Sequence, residues 1–497
     1  MSFRVADMLA ARASDAEAVV APDARWSWRE LAAQVDARAA TMHAMGLKRG
    51  DFIAILLPNG AEWVALFLAA ARLGCVTVPV NTRFKPAEIA DVLTRTDTRI
   101  TFTTRHFLGL DFPAMLGDAR HIIVEDQAWQ TGPLPPLPDE HDPLLIQFTS
   151  GTTSRPKGVV LTQHAMLRNA ASVAERLRAT PADRYLNNRP FFHVAGTTLT
   201  LLVCLCSGAT LVTPTHFTAP EAARLLMEER CTLMSGNDTI FQMLLDEPGL
   251  DRTRLALRGG WAAAGPVTMR RIATELGMAG VCNAYGLSEA APNVGFSFPD
   301  DSLDDRADGW LPTHDGLEVG IFNDDTRATP GTQGEIRVRG WSLMQGYLKD
   351  PENTAKTITP DGWLRTGDVG VMDPRGRFRM VGRLKDVFRV GGENVAPAEV
   401  EEALQAHPDV AVAQVVGVPD ARLGEVPAAF VKLAAGAAIT PDALLTWLRP
   451  RIAGFRLPRY LWLVDDFEAI GMTASGKVQK TRLREEAQKR LTPAQPA

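Results

Sequence analysis

The stretch QFTSGTTSRPKGVVLT, Gln147 to Thr162, gathers four threonines, two serines, two glycines, an arginine and a lysine between two short apolar runs. Such a loop offers backbone N–H groups, hydroxyl donors and a mobile ammonium, the chemistry that a polyphosphate requires. The G-x-x-x-x-G-K-[ST] phosphate loop is not met, because Lys157 precedes Gly158 and the β-type run GVVLT follows in place of a helix. A nucleotide bound in some other way is the first expectation. Further polar islands interrupt apolar runs at NAYGLSEAAP (283–292), DGWLRTGDVG (361–370), GRLKDVFRVGGENVAPAEVEEAL (382–404) and TASGKVQKTRL (473–483). Carboxylates on turns, Glu289 and Asp368 among them, suit a hard cation or a sugar diol.

These islands need a frame. Ser27 and Glu30 form a capping-box pattern, apolar residues follow at helical spacing, and Gly46 stops the helix before FIAILL. AEWVALFLAAARLG and then CVTVPVN repeat the order of helix and strand, which predicts a parallel sheet with helices on both faces. The proline-rich TGPLPPLPDEHDP delivers the chain to the hydroxyl-rich loop and reads as a linker. After about residue 310, GEIRVRG, GRFRMVGR and VAVAQVVGV alternate apolar and polar residues, which predicts smaller antiparallel or mixed sheets. The expectation is an α/β fold: a large N-terminal domain, 1–383, of parallel and mixed sheets layered with helices, including a distorted barrel-like part. A small α+β C-terminal domain, 384–497, follows.

A chain of 497 residues exceeds one hydrophobic core. Its net charge of −5 argues against a nucleic-acid or anionic-membrane surface. Five scattered cysteines without a C-x-x-C pair read as reduced core thiols. The most apolar stretch, TLTLLVCLCSGATLV, is too short to span a bilayer and reads as buried core. With no signal-peptide pattern at the N-terminus, the expectation is a cytoplasmic protein without integral membrane association, acting on small molecules.

The five islands, in order and spacing, resemble the adenylate-forming superfamily of acyl-CoA synthetases, luciferases and peptide-synthetase adenylation domains, and the resemblance runs over essentially the whole chain. It implies two half-reactions: a carboxylate attacks the α-phosphate of ATP, giving an acyl-adenylate and pyrophosphate, and a thiol then displaces AMP. On that resemblance Thr149, Ser150, Gly151, Thr152, Thr153 and Lys157 grip the β- and γ-phosphates, with Ser154 standing where the family usually has glycine. Glu289 is the magnesium ligand, and Ser288 replaces the usual threonine at the α-phosphate. Tyr285 lies along the adenine, with Asn283, Ala284, Gly286, Ala264 and Gly265 around the base. Asp368 and Arg383 hold the ribose, and Lys477 carries the first half-reaction. Lys385 is the hinge about which the C-terminal domain rotates, bringing Gly391, Gly392 and Glu393 to coenzyme A.

The stretch RPFFHVAGTTLTL corresponds to the segment that shapes the acyl pocket. It has no aspartate for a substrate ammonium, so an acid without an α-amino group is expected. His193 resembles the aromatic gate of CoA ligases, and a histidine packed on a helix start is the structural alternative. Val194, Thr197, Asn237, Phe241, Trp261 and Ala263 are the candidate lining, a mostly apolar set that suits a medium-chain or aromatic acid. An acyl-CoA ligase using ATP, magnesium and CoA leads. A stand-alone enzyme loading a carrier-protein pantetheine shares every catalytic residue, and an inactive nucleotide or acyl sensor is the non-enzyme alternative.

Overall fold

The computed structural model describes residues 2–149, 156–434, 436–472 and 478–491. Ser27 caps helix Trp28–Ala44, its hydroxyl and the Glu30 carboxylate completing the reciprocal box. Gly74, left-handed at φ 75°, ends helix Ala61–Leu73. Strands Phe52–Leu56 and Val76–Pro79, which flank that helix, pair in parallel, as the alternating pattern predicts.

Those strands belong to a seven-stranded sheet. It also holds the antiparallel pair Pro143–Thr149 and Lys157–Thr162, whose register sets Thr149 opposite Lys157. An eight-stranded sheet carries the parallel run Arg184–Leu186, Leu233–Asn237, Gly259–Ala263 and Gly280–Gly286. The end of Gly280–Gly286 supplies the island 283–292. The region expected to be barrel-like is a five-stranded antiparallel sheet that includes Leu364–Met372 and Phe378–Arg383. Bridges Gly295–Thr313 and Leu311–Phe378 connect it to the neighbourhood of the eight-stranded sheet. A fourth, mixed sheet begins at Phe388–Val390 and is covered by helices Pro397–Gln405 and Pro441–Leu448. Among the described residues no helix is long and apolar enough to cross a membrane.

The stretch Thr198–Val212 is buried as expected, but Thr197–Leu202 winds as a π-helix before helix Val203–Ser207. Alternation along the parallel strands sends Trp261 to one face and Ala262 to the other, into separate cores. Gly260 sits between neighbouring strands at φ 141°, where a Cβ would meet the Met234 carbonyl oxygen at 1.7 Å. No side-chain rotation relieves a clash with backbone, so Gly260→Ala is expected to destabilise the protein by about 3 kcal/mol or more. A urea-unfolding midpoint within error of the parent would remove this reading of the close approach.

Candidate active site

The Tyr285–Glu289 turn organises the site. Tyr285 ends the core-facing part of strand Gly280–Gly286, and Glu289 stands on the short helical turn Ser288–Ala290. The Tyr285 hydroxyl donates to Asp368 Oδ2 at 2.8 Å. Arg383, opposite Asp368 across the antiparallel strands, places Nε 3.1 Å from Oδ1. Asp368 is 4% exposed, so its carboxylate depends on protein partners. Burial first, then the neighbouring Asp368 charge, pushes the Tyr285 phenol well above its ordinary value and keeps it a neutral donor. Phe378 meets the Tyr285 ring edge-on at 5.5 Å, and Phe378 itself fits against Gly295, which has no side chain to obstruct it.

The RTGD turn explains its own composition. The Thr366 hydroxyl donates to the Ile336 carbonyl at 2.6 Å and accepts from the Asp368 N–H at 3.1 Å. Gly367, at φ 70°, makes the bend between them.

On the other side of the turn, Glu289 Oε1 accepts from the Tyr347 hydroxyl at 3.0 Å, and its carbonyl accepts from the Met344 N–H. Lys157 Nζ lies 4.7 Å from the centre of the Tyr347 ring, a cation–π distance. Burial, followed by the Glu289 charge, raises the Tyr347 phenol and keeps it protonated. The carboxylate of Glu289 is a hard oxygen donor with a second oxygen beyond the one Tyr347 holds, a set that fits a hard divalent cation. Lys157 also lines a cavity of about 470 Å³ with Arg95, Lys349 and Asp350. Tyr347 was not singled out from the sequence, because its role arises from pairing between Lys157–Thr162 and Gly346–Tyr347.

Around the expected adenine position, Asn283 is 8% exposed and donates from Nδ2 to the carbonyls of Ala264 at 3.5 Å and Arg306 at 3.0 Å. The Gly265 N–H donates to Asp238 Oδ2 at 3.2 Å. Ala284, Gly286 and Ser288 follow on the same strand and turn. The Tyr285 ring is fully packed between Phe378 and Asp368, so it is a wall with its edge committed rather than an open face.

The acyl candidates separate. Val194 and Thr197 are buried at the start of the helical segment, in or beside the core that holds Trp261. Phe241 is buried in the other core, on the opposite face of the sheet. Ala263 is exposed at the strand end. Asn237 Oδ1 caps helix Asp238–Leu245 by accepting from Ile240 N–H at 3.1 Å. His193 Nδ1 accepts from the Ala195 N–H at 3.1 Å, so the neutral ring carries its proton on Nε2. Lys385 is exposed in the turn between the third and fourth sheets, and Gly391, Gly392 and Glu393 are exposed in the loop and strand beyond it. Ser150, Gly151, Thr152, Thr153 and Lys477 lie outside the described residues. Thr149 and Lys157 flank the first of these gaps, and the bridge Met472–Val478 flanks the second.

This fold and site define a two-part adenylating enzyme. The family model for AMP-binding enzymes matches residues 7–348, and the model for their C-terminal domain matches 399–477. The chain belongs to the AMP-binding enzyme family, in the adenylate-forming superfamily. Its curated relatives are named acyl-CoA synthetases and ligases, which makes it an AMP-forming acid–thiol ligase. A (methyl-dioxo-octahydroindenyl)propanoyl:CoA ligase of Mycobacterium tuberculosis is 37% identical, over 96% of this chain and 97% of that protein. The mitochondrial medium-chain acyl-CoA ligase ACSF2 of Mus musculus is 30% identical, over 98% and 87%. ATP-bound MatB from Rhodopseudomonas palustris superposes with a TM-score of 0.88 at 27% identity, covering 99% of this chain and 100% of that one.

Tyr285→Phe is expected to lower kcat/KM for ATP about tenfold or more, the scale of a hydrogen bond to a charged group. Because the phenol stays protonated, the loss should be equal from about pH 6 to about pH 9. A loss that fades toward the alkaline end would show that the hydroxyl already ionises there.

Proposed function

We propose that this chain activates a medium-chain or aromatic carboxylic acid with ATP and passes the acyl group to coenzyme A. The observation that carries the reading is one line of contacts. Lys157 packs on Tyr347, Tyr347 donates to Glu289, and the turn from Glu289 returns to Tyr285, which holds Asp368 beside Arg383. Motifs far apart in sequence thus meet along one line, which supports assigning them in turn to phosphate, metal and ribose.

In the first half-reaction the acid's carboxylate oxygen attacks the α-phosphorus and the bond to the bridging pyrophosphate oxygen breaks. Lys157 and the hydroxyl-rich loop receive the charge on the leaving pyrophosphate, and Lys477 aligns the carboxylate with the α-phosphate. The cation-lined cavity beside Lys157 suits the pyrophosphate after cleavage. Asp368 accepts the ribose hydroxyls while Arg383 and Tyr285 keep it oriented. Glu289 is the residue that would hold magnesium, which when bound neutralises phosphate charge. In the second half-reaction the thiolate attacks the acyl carbon and AMP leaves. Rotation at Lys385, taken as the boundary between the two domains, withdraws Lys477 and admits Gly391, Gly392 and Glu393 to the thiol path.

The lack of an acidic residue in RPFFHVAGTTLTL supports an acid without an ammonium. The relatives' named substrates differ: a dioxo-indenyl propanoate for one and medium-chain acids for another. The deciding experiment is pyrophosphate release with ATP, magnesium and CoA across graded fatty acids, substituted benzoates and cinnamates, and amino acids. A CoA-dependent response to the fatty or aromatic acids supports the reading. Silence across the panel with ATP still bound moves the weight to a carrier-protein acceptor or a sensor.

Lys477→Ala should lose adenylation by on the order of a hundredfold while still converting supplied acyl-adenylate to thioester. Equal loss in both half-reactions would remove Lys477 from its assigned step. Lys385→Pro should leave pyrophosphate release intact and stall thioester formation, since proline fixes φ at the proposed pivot. Thioester formed at the parent rate would place the pivot elsewhere.

A further inference from the structure

The stretch NNRPFFHV, which the resemblance sets at the acyl pocket, carries an arginine, Arg189, before two phenylalanines. Its backbone is fully engaged: the N–H donates to Asn187 Oδ1, and the carbonyl accepts from the Asn59 and Asn187 side chains. The side chain is not. Nε is buried without a hydrogen-bond partner, and the guanidinium lies 5.9 Å from the centre of the Trp261 ring. Protein encloses the group on nearly every side, and the titratable neighbour acting on it is Tyr185 rather than a carboxylate. Yet the residue keeps a minor share of accessible surface, as a group lining an internal chamber does. Burial pushes its pKa down to about 10, which leaves it charged at neutral pH.

The surrounding groups repeat the pattern. The Tyr185 hydroxyl, the Ser235 hydroxyl and the Trp261 indole N–H come together on one face of the parallel sheet, where Ser235 is registered with Trp261. Among the described residues none of the three meets strict hydrogen-bond geometry, although Ser235 and Trp261 lie near enough to the Tyr185 hydroxyl to act on it, and both polar atoms of the Asn188 amide are buried and unpaired as well. An unpaired buried charge is expensive, and each orphaned polar group adds to the cost. An indole N–H and a guanidinium can only donate. Among the described residues the guanidinium Nε and the indole N–H have no acceptor oxygen in hydrogen-bond geometry, even with the Tyr185 and Ser235 hydroxyls and the Asn188 amide nearby or unpaired.

We propose that the acid this enzyme activates carries, away from its reacting carboxyl, an acceptor oxygen that Arg189 binds: a ketone or a second carboxylate. The proposal rests on the ligase reading above and narrows its substrate class. Arg189 is then a specificity-determining residue, with Trp261, Tyr185 and Ser235 as further donors. The apolar wall of Val194 and Trp261 accommodates the body of the acid, and the donors read its far end.

The test starts from the acids that the pyrophosphate panel identifies. Each is compared with its oxo and carboxy analogues of equal length, by kcat/KM for acyl-CoA formation. The expected result is a preference of about 100-fold or more for one analogue, since sites built around buried donors reject ligands lacking the acceptor. The oxo and carboxy arms show which acceptor is read. Arg189→Met should collapse that ratio toward unity, and Arg189→Lys should restore part of it. Because methionine removes an unpaired buried charge, the thermal midpoint of Arg189→Met should stay level or rise. Plain acids used as well as both analogues by the parent enzyme would overturn the proposal, whether or not the variants fold. So would an Arg189→Met variant with a lowered midpoint and equal losses on all three acids, which would make the guanidinium a strut. No acyl-CoA from any acid in the panel would instead remove the ligase reading.

Discussion

The Tyr285–Asp368 hydrogen bond is the contact on which the geometry of the site rests. Tyr285 comes from the parallel sheet and Asp368 from the antiparallel one, and a buried carboxylate tolerates few positions when both oxygens are already held. The bond therefore sets how the two sheets meet. Phe378, wedged between Tyr285 and Gly295, gives the same junction an apolar half. Glu289 inherits its position, because only a short turn separates it from Tyr285, and Tyr347 and Lys157 take theirs from Glu289. A substitution that weakens the junction disturbs Asp368, Glu289 and Lys157 together.

The acyl side is organised by different physics. Parallel strands end together, and alternation divides their side chains between two faces. The π-helix Thr197–Leu202 passes over the face that holds Trp261, and such helices are frequent at functional sites. On the other side Asp368 has both carboxylate oxygens engaged by protein groups, whereas around Trp261 unpaired donors remain among the described residues.

Much of the frame was legible in the sequence because its causes are local. The Ser27 and Glu30 box, the glycine stop at Gly46 and the strand patterns each depend on neighbours within a few positions. The polar islands were legible as motifs, since turns collect functional residues between regular elements. The hydroxyl partner of Tyr285 and the place of Tyr347 were not legible, because they arise from sheet contacts between distant segments. The same holds for the division between Phe241 and Trp261: helix Asp238–Leu245 turns Phe241 under the sheet, while strand register carries Trp261 above it. Arg189 stood in plain view beside two phenylalanines. Only the enclosure around it shows that its charge has no mate.

Arg383 ends its strand immediately before the turn that holds Lys385, so the ribose contact and the root of that turn are neighbours along the chain. A ribose whose hydroxyls donate to Asp368 competes for the oxygens that Arg383 and Tyr285 occupy. Thermodynamic reciprocity then applies: whatever factor the nucleotide imposes on the bearing of the turn, the bearing of the turn imposes on nucleotide affinity. With the pivot proposed at Lys385, swinging the C-terminal domain and loosening AMP become two descriptions of one equilibrium, and that proposal calls for no separate signal to release the spent nucleotide.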